Sequence, residues 1–291
     1  MGQGQVTREI SYASSARSRG GRVLIRAIEN TTGRIGLIRR ADGYERDVAR
    51  GQSFWQVIAE RYGLSLEIVG GALSNIPANG PLVLIANHPY GILDGLMMGH
   101  LLDRARGDFR ILANNVFRRA AELDRVVLPI SFDETKEAVR LNLDTRATAL
   151  KYLADGGAIG VFPGGTVSTS ARPFGRPMDP GWRNFTAKMI AKSDATVVPV
   201  YFDGHNSRLF QVLSHVHPTL RLALLIKEFR RRIDHPVRIV VGEPIASAQL
   251  APLKSDSRAM MDFLRRSTYA LSPEPLKSYA YGYEFEAKYK A

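Results

Sequence analysis

From about residue 81 onward the chain alternates between two patterns of apolar residues. Short, nearly unbroken apolar runs at 82–87, 109–113, 126–130, 158–162, 196–202 and 237–241 have the length of buried strands. Between them, apolar residues recur every three or four positions over 92–106, 134–153, 182–192, 218–233 and 257–270, which predicts amphipathic helices. A shorter helix is predicted at 116–123, and Gly156-Gly157 close the helix that ends near Leu153. Strands alternating with helices predict an α/β fold, a largely parallel central sheet flanked by helices. Upstream the pattern is weaker. Residues 1–20 are polar and rich in Ser and Arg, like a mobile arm, and 23–38 show no clean period. Residues 53–62 read as a short amphipathic helix with Ser53 as N-cap. The reading is therefore a basic N-terminal extension at 1–75 and an α/β core at 76–252. A C-terminal helix and aromatic tail follow at 253–291. Tyr279, Tyr281, Tyr283 and Phe285 alternate with a period of two, as in an extended tail packing back on the core.

Composition narrows the class. The chain has 291 residues, 45% of them hydrophobic, which is enough for a sizeable core and excludes a disordered protein. Zero cysteines exclude a disulfide scaffold, a thiol nucleophile and a thiolate metal site. No apolar run approaches the roughly 20 residues of a membrane span, and the N-terminus lacks a signal-peptide core. The expected location is cytoplasmic, peripheral on the cytoplasmic face of a membrane. The net charge of +12 is unevenly placed. Residues 1–50 carry ten Arg against five acids, and 207–238 carry seven Arg or Lys against two. Two basic segments point to a surface that meets phosphates or an acidic partner. No RNP, helix-turn-helix or zinc motif supports nucleic acid as that partner. His215 and His217 lack the third ligand of a metal site, so no metal is expected.

Two segments carry candidate chemistry, each at the carboxyl end of a predicted strand, where sites form in parallel sheets. The first is Asn87-His88-Pro89-Tyr90-Gly91-Ile92-Leu93-Asp94-Gly95. A carboxylate on the first turn of the following helix can hold one imidazole nitrogen of His88 and leave the other as a base. The second is Phe162-Pro163-Gly164-Gly165-Thr166-Val167-Ser168, with Arg172 and Arg176 following. Paired glycines expose backbone N–H groups to an anion, and the hydroxyls add donors. It is not a Walker A loop, for no Gly-Lys-Ser/Thr appears.

In order and spacing, the two segments together resemble the lysophospholipid/glycerolipid acyltransferase superfamily, which carries an Asn-His-x4-Asp block followed by Phe-Pro-Glu-Gly-Thr-Arg-Ser. NHPYGILDG is most similar to the haemolysin-annotated bacterial branch, whose His block has one extra residue. Asn114-Asn115-Val116 through Leu128-Pro129 resembles the middle block, and the stretch from Tyr201 to Phe210, with His205 and Asn206, the late one. The resemblance implies an O-acyltransferase in which His88 is the base and Asp94 its partner. Asn87, Tyr90, Gly91, Asn114, Gly164, Gly165, Thr166, Ser168, Arg172, His205 and Asn206 would bind substrate. It implies acyl-CoA or acyl carrier protein as donor substrate, no cofactor, a lyso-lipid acceptor, an anionic membrane surface, and no acyl-enzyme. The absence of a Gly-x-Ser-x-Gly elbow agrees with the last point. Gly164 and Val167 depart from the pattern, standing where the family has Glu and its phosphate-binding Arg. Those departures motivate an alternative, a non-catalytic lipid-binding protein on the same fold. They also leave open whether Arg172 compensates or the acceptor is an amino-acid-linked lipid.

Overall fold

A computed structural model describes residues 11–13, 16, 18–114, 121–131, 133 and 135–286. The sequence expectations at 1–10 and 115–120 lie outside the described residues. Four helices come first: α1 (Arg19–Thr32), α2 (Arg34–Ala41), α3 (Tyr44–Ala49) and α4 (Phe54–Arg61). Strand β1 (Ser65–Gly71) then leads into β2 (Leu82–Ala86) and α5 (Ile92–Arg106). Next come β3 (Arg110–Asn114), α6 (Ala121–Val126), β4 (Val127–Ile130), α7 (Lys136–Ala154) and β5 (Ala158–Val161). The short hairpin β6 (Thr169–Ser170) and β7 (Pro177–Met178) precedes α8 (Asn184–Ala191) and β8 (Thr196–Phe202). The chain closes with α9 (Arg208–Val216), α10 (Pro218–Arg230), β9 (Pro236–Val241), α11 (Ser247–Leu250) and α12 (Ser257–Tyr269).

The central sheet has seven strands in the order β1-β9-β8-β2-β5-β3-β4. Five run parallel, and the parallel pair β1 and β9 joins them antiparallel through β8. All five residues of β2 are buried, and they divide by alternation. Leu82, Leu84 and Ala86 face a core built with α2, α4, α5 and α10, while Val83 and Ile85 face one built with α7, α8 and α12. Each of the four Leu, Val and Ile side chains contributes about 1.5–3 kcal/mol on burial, so the strand is fixed from both sides.

Chain order sets the position of the site. From β2 the chain passes through α5 to β3 and β4, then α7 returns it to β5, against β2. It next crosses the carboxyl end of β2 to reach β8 on the opposite side. That is the reversal point at which open parallel sheets bind ligands.

The first 75 residues differ from the predicted extension. β1 is an edge strand of the same sheet, and Leu37, Tyr44, Trp55 and Ile58 lie in the main core. The strand was hidden because an edge buries only part of each residue: Glu67 is exposed, and Gly70 and Gly71 offer no side chain.

Candidate active site

β2 ends in a turn that delivers His88 beside Asp94. Asp94 is fully buried in the first turn of α5, where the helix dipole favours a negative charge. Its Oδ2 accepts the Tyr90 N–H at 2.7 Å and the Gly91 N–H at 2.9 Å, and lies 3.0 Å from Nδ1 of His88. Burial pushes the Asp94 carboxyl up, and the imidazole and the two N–H groups oppose it. Gly91 has φ +90°, a conformation L side chains rarely adopt, and a Cβ there would meet the Tyr12 hydroxyl at 3.2 Å. The His88 ring stacks on Phe162, centroids 4.4 Å apart, and its side chain keeps 18% exposure.

The loop after β5 closes the other side. The Gly165 N–H bonds to Phe162 O at 3.0 Å, while the Gly164 and Thr166 N–H groups have no protein acceptor among the described residues. The Ser168 N–H donates to His88 O at 2.7 Å. Asp179, fully buried, accepts the His88 N–H at 3.2 Å and the Ser168 hydroxyl through Oδ1, and the Trp182 indole at 2.9 Å through Oδ2. One carboxylate thus ties the two sequence blocks together.

Arg221 reaches the loop from α10. It donates to Val167 O at 2.6 Å, to the Thr166 hydroxyl at 3.1 Å, to the Ser214 hydroxyl at 3.3 Å and to the Thr169 hydroxyl. Among the described residues it has no carboxylate partner. Burial pushes its guanidinium down to about 9, so it is charged at neutral pH. Tyr12 packs at the junction of the His88–Asp94 turn and α10, held by its N–H on Glu29 at 2.7 Å.

A family model described as Acyltransferase matches residues 52–275. The chain belongs to the acyltransferase family. It is therefore an enzyme that transfers acyl groups, and the non-catalytic alternative falls. The lyso-glycine lipid O-acyltransferase of Bacteroides thetaiotaomicron is 30% identical over 204 residues, 67% of this chain and 71% of that protein. The protein of the same name from Phocaeicola vulgatus is 26% identical over 202 residues, 67% of this chain and 69% of that one. The crystal structure of the 1-acyl-sn-glycerophosphate (LPA) acyltransferase PlsC from Thermotoga maritima matches over 91% of this chain and 87% of that one. Its TM-score is 0.45 and its identity 16%.

The acyltransferase brings His88, Asp94, Tyr90, Gly91, Gly164, Gly165, Thr166 and Ser168 into one region. Two side chains expected to bind substrate, those of Asn87 and Tyr90, are spent on the protein. The Asn87 amide exchanges two bonds with the Phe202 backbone, 2.9 and 2.7 Å, stitching the turn to β8. The Tyr90 hydroxyl donates to Asp203 O at 2.7 Å and receives Arg232 at 2.8 Å. Asn114 ends β3, paired with Ile130. His205 is exposed, with Nδ1 2.9 Å from Asn206 O, and the Asn206 amide is buried with no hydrogen-bond partner among the described residues. Arg172 is exposed on the β6–β7 loop, and the guanidinium inside the glycine loop is that of Arg221. His215 and His217 turn to different partners, Ser170 O and the Thr219 N–H.

Asp179, Arg221 and Tyr12 are not marked by the sequence motifs. Two had a signal. Asp179 is the only acid in 156–193, and Arg221 falls on the apolar face of its helix, four and eight residues before Leu225 and Phe229.

Proposed function

We propose that this acyltransferase moves a fatty acyl group from a thioester donor, acyl-CoA or acyl carrier protein, to the hydroxyl of a lyso-lipid with an amino-acid carboxylate at its polar end. The observation that carries the chemistry is the 3.0 Å approach of His88 Nδ1 to buried Asp94. A carboxylate there keeps the hydrogen on Nδ1 and leaves Nε2 to accept a proton. Nε2 takes the proton of the acceptor hydroxyl as its oxygen attacks the thioester carbonyl. A C–O bond forms, the C–S bond breaks, and the imidazolium returns the proton to the leaving sulfur. The Gly164 and Thr166 N–H groups, without an acceptor among the described residues, can meet the developing oxyanion or the headgroup.

The acceptor class rests on three supports. The curated relatives are named for a lyso-glycine lipid, and Val167 removes the Arg that the phosphate-binding block carries. Arg221 supplies a buried positive charge behind Thr166, suited to a single carboxylate more than to a dianionic phosphate. The test is acyl transfer by the purified protein from both donors to N-acyl amino acids bearing a free hydroxyl and to lysophosphatidate. The first acceptor should be preferred, and His88→Ala should lose about 10²–10⁴-fold. A preference for lysophosphatidate would overturn the acceptor, and unchanged turnover in His88→Ala would overturn the mechanism.

A further inference from the structure

Beside the glycine loop lies a surface whose apolar side chains the fold leaves uncovered. Phe174, at the tip of the β6–β7 loop, is 80% exposed, and Val216 and Leu209 on α9 are 64% and 46% exposed. Leu209 and Val216 are seven residues apart and so share one face of the helix. Arg208 fixes the tip beside α9, its guanidinium donating to Phe174 O at 3.1 Å and Gly175 O at 2.9 Å. The exposed Val23 and Leu24 extend the surface along α1, where Gly21 approaches Thr219 just past the end of α9. By contrast, the apolar face of α10 is spent on the core, since Ala223, Leu225, Ile226 and Phe229 are all buried.

The charge around these tips has one sign. Segments 19–28, 156–178 and 204–227 contain no Asp or Glu. Arg172, Arg176 and Arg208 surround Phe174 with exposed side chains, and Arg19 and Arg22 precede Val23. We propose that Phe174, Leu209 and Val216 insert into an anionic lipid bilayer while the flanking arginines meet its phosphates. An acidic carrier protein would satisfy the arginines and leave the apolar tips without a purpose. A second copy would set arginine against arginine. The docked loop begins at Ser170, two residues after the Ser168 that bonds to His88 O, so the site opens next to the bilayer. This docking rests on the proposed lipid acceptor, to which it gives a route to His88, and vesicle binding tests it without any acceptor.

The full chain is mixed with vesicles of phosphatidylcholine alone, or of phosphatidylcholine with phosphatidylglycerol. Binding is expected only to the anionic vesicles and weaker in high salt. Combining Phe174→Ser, Leu209→Ser and Val216→Ser should cut the bound fraction about tenfold and slow acylation of a vesicle-borne acceptor. Acylation of a short, dispersed acceptor should be unchanged. In Phe174→Trp, which places the probe at one exposed position, anionic vesicles should shift the added emission to the blue. Unaltered vesicle binding by the serine variant, or an unmoved tryptophan spectrum, would overturn the proposal. So would variants that only dissociate an oligomer, or only weaken acyl carrier protein binding. Rejection of amino-acid lyso-lipids as acceptors would leave the vesicle results standing, which separates the two failures.

Discussion

At position 164 a Cβ would lie 3.3 Å from Cβ, Cγ and Oδ2 of Asp179, tighter than ordinary van der Waals contact. The acid that the related block carries at that position would therefore share its space with a carboxylate already bonded to His88, Ser168 and Trp182. Glycine at 164 leaves room for Asp179, an acid supplied from the β7 end. Gly164→Glu should lower both melting temperature and acyl transfer, because two buried carboxylates would meet. Adding Asp179→Asn should recover part of the loss, and a double-mutant cycle measures the coupling at about 0.5–3 kcal/mol. Independent, additive losses would refute this pairing. Legibility in the sequence follows the range of the contacts. His88 and Asp94 interact within one turn, so their spacing reveals them. Asp179 reaches His88 across 91 positions, and Arg221 reaches Thr166 across 55, distances at which spacing carries no signal.

Among elements, the six strands with unbroken apolar runs and the long helices were legible: β2, β5 and β8 are buried on both faces, and β3, β4 and β9 keep runs of apolar residues largely out of water. What escaped was β1, α1 to α3, the β6–β7 hairpin and α9, elements that bury a single face or a few residues. Long-range polar contacts fix several of them. Arg40 on α2 donates to both Asp234 oxygens and to Arg61 O, tying α2 to the turn between α10 and β9. The Arg40 guanidinium holds the Asp234 carboxyl below the usual carboxylate range. A depressed carboxylate stabilises the fold above its unfolded value, and this is lost as pH falls through the folded one. Asp234→Asn keeps a residue tolerant of φ +63° and removes the charge. Its melting temperature should be lower than the parent's at pH 7, and the gap should close below about pH 4. A gap that persists in acid would assign the loss to backbone strain instead.

Over the whole molecule, the two arginine-rich segments that lie far apart in the chain become neighbours. α1 packs along α10 through Ile25 and Ala223, and Arg230 donates to Thr32 O at 3.3 Å. Basic residues of both segments therefore share one side of the sheet. The C-terminal tail braces the site from the other direction. Arg265 donates to the Tyr279 and Ala280 carbonyls at 2.7 and 3.0 Å, which sets the tail across α12. The Gly282 N–H then reaches Asp179 O at 2.8 Å and the Tyr283 N–H reaches Thr169 O at 3.0 Å. Glu284 forks onto Arg183 at 2.8 and 3.0 Å, and Phe285 lies 4.2 Å from the Arg221 guanidinium. These contacts converge on Asp179 and Arg221, the two residues that hold the glycine loop. Loss of the tail should therefore misplace the loop as well as destabilise the fold. A chain ending after Ser278 should melt lower and transfer acyl groups about 10–10²-fold more slowly, the penalty of a small misplacement near the chemistry. A peptide of residues 279–291 should restore both. Full turnover in the truncated chain below its melting temperature would limit the tail to a stabilising role and leave α10 as the loop's main support.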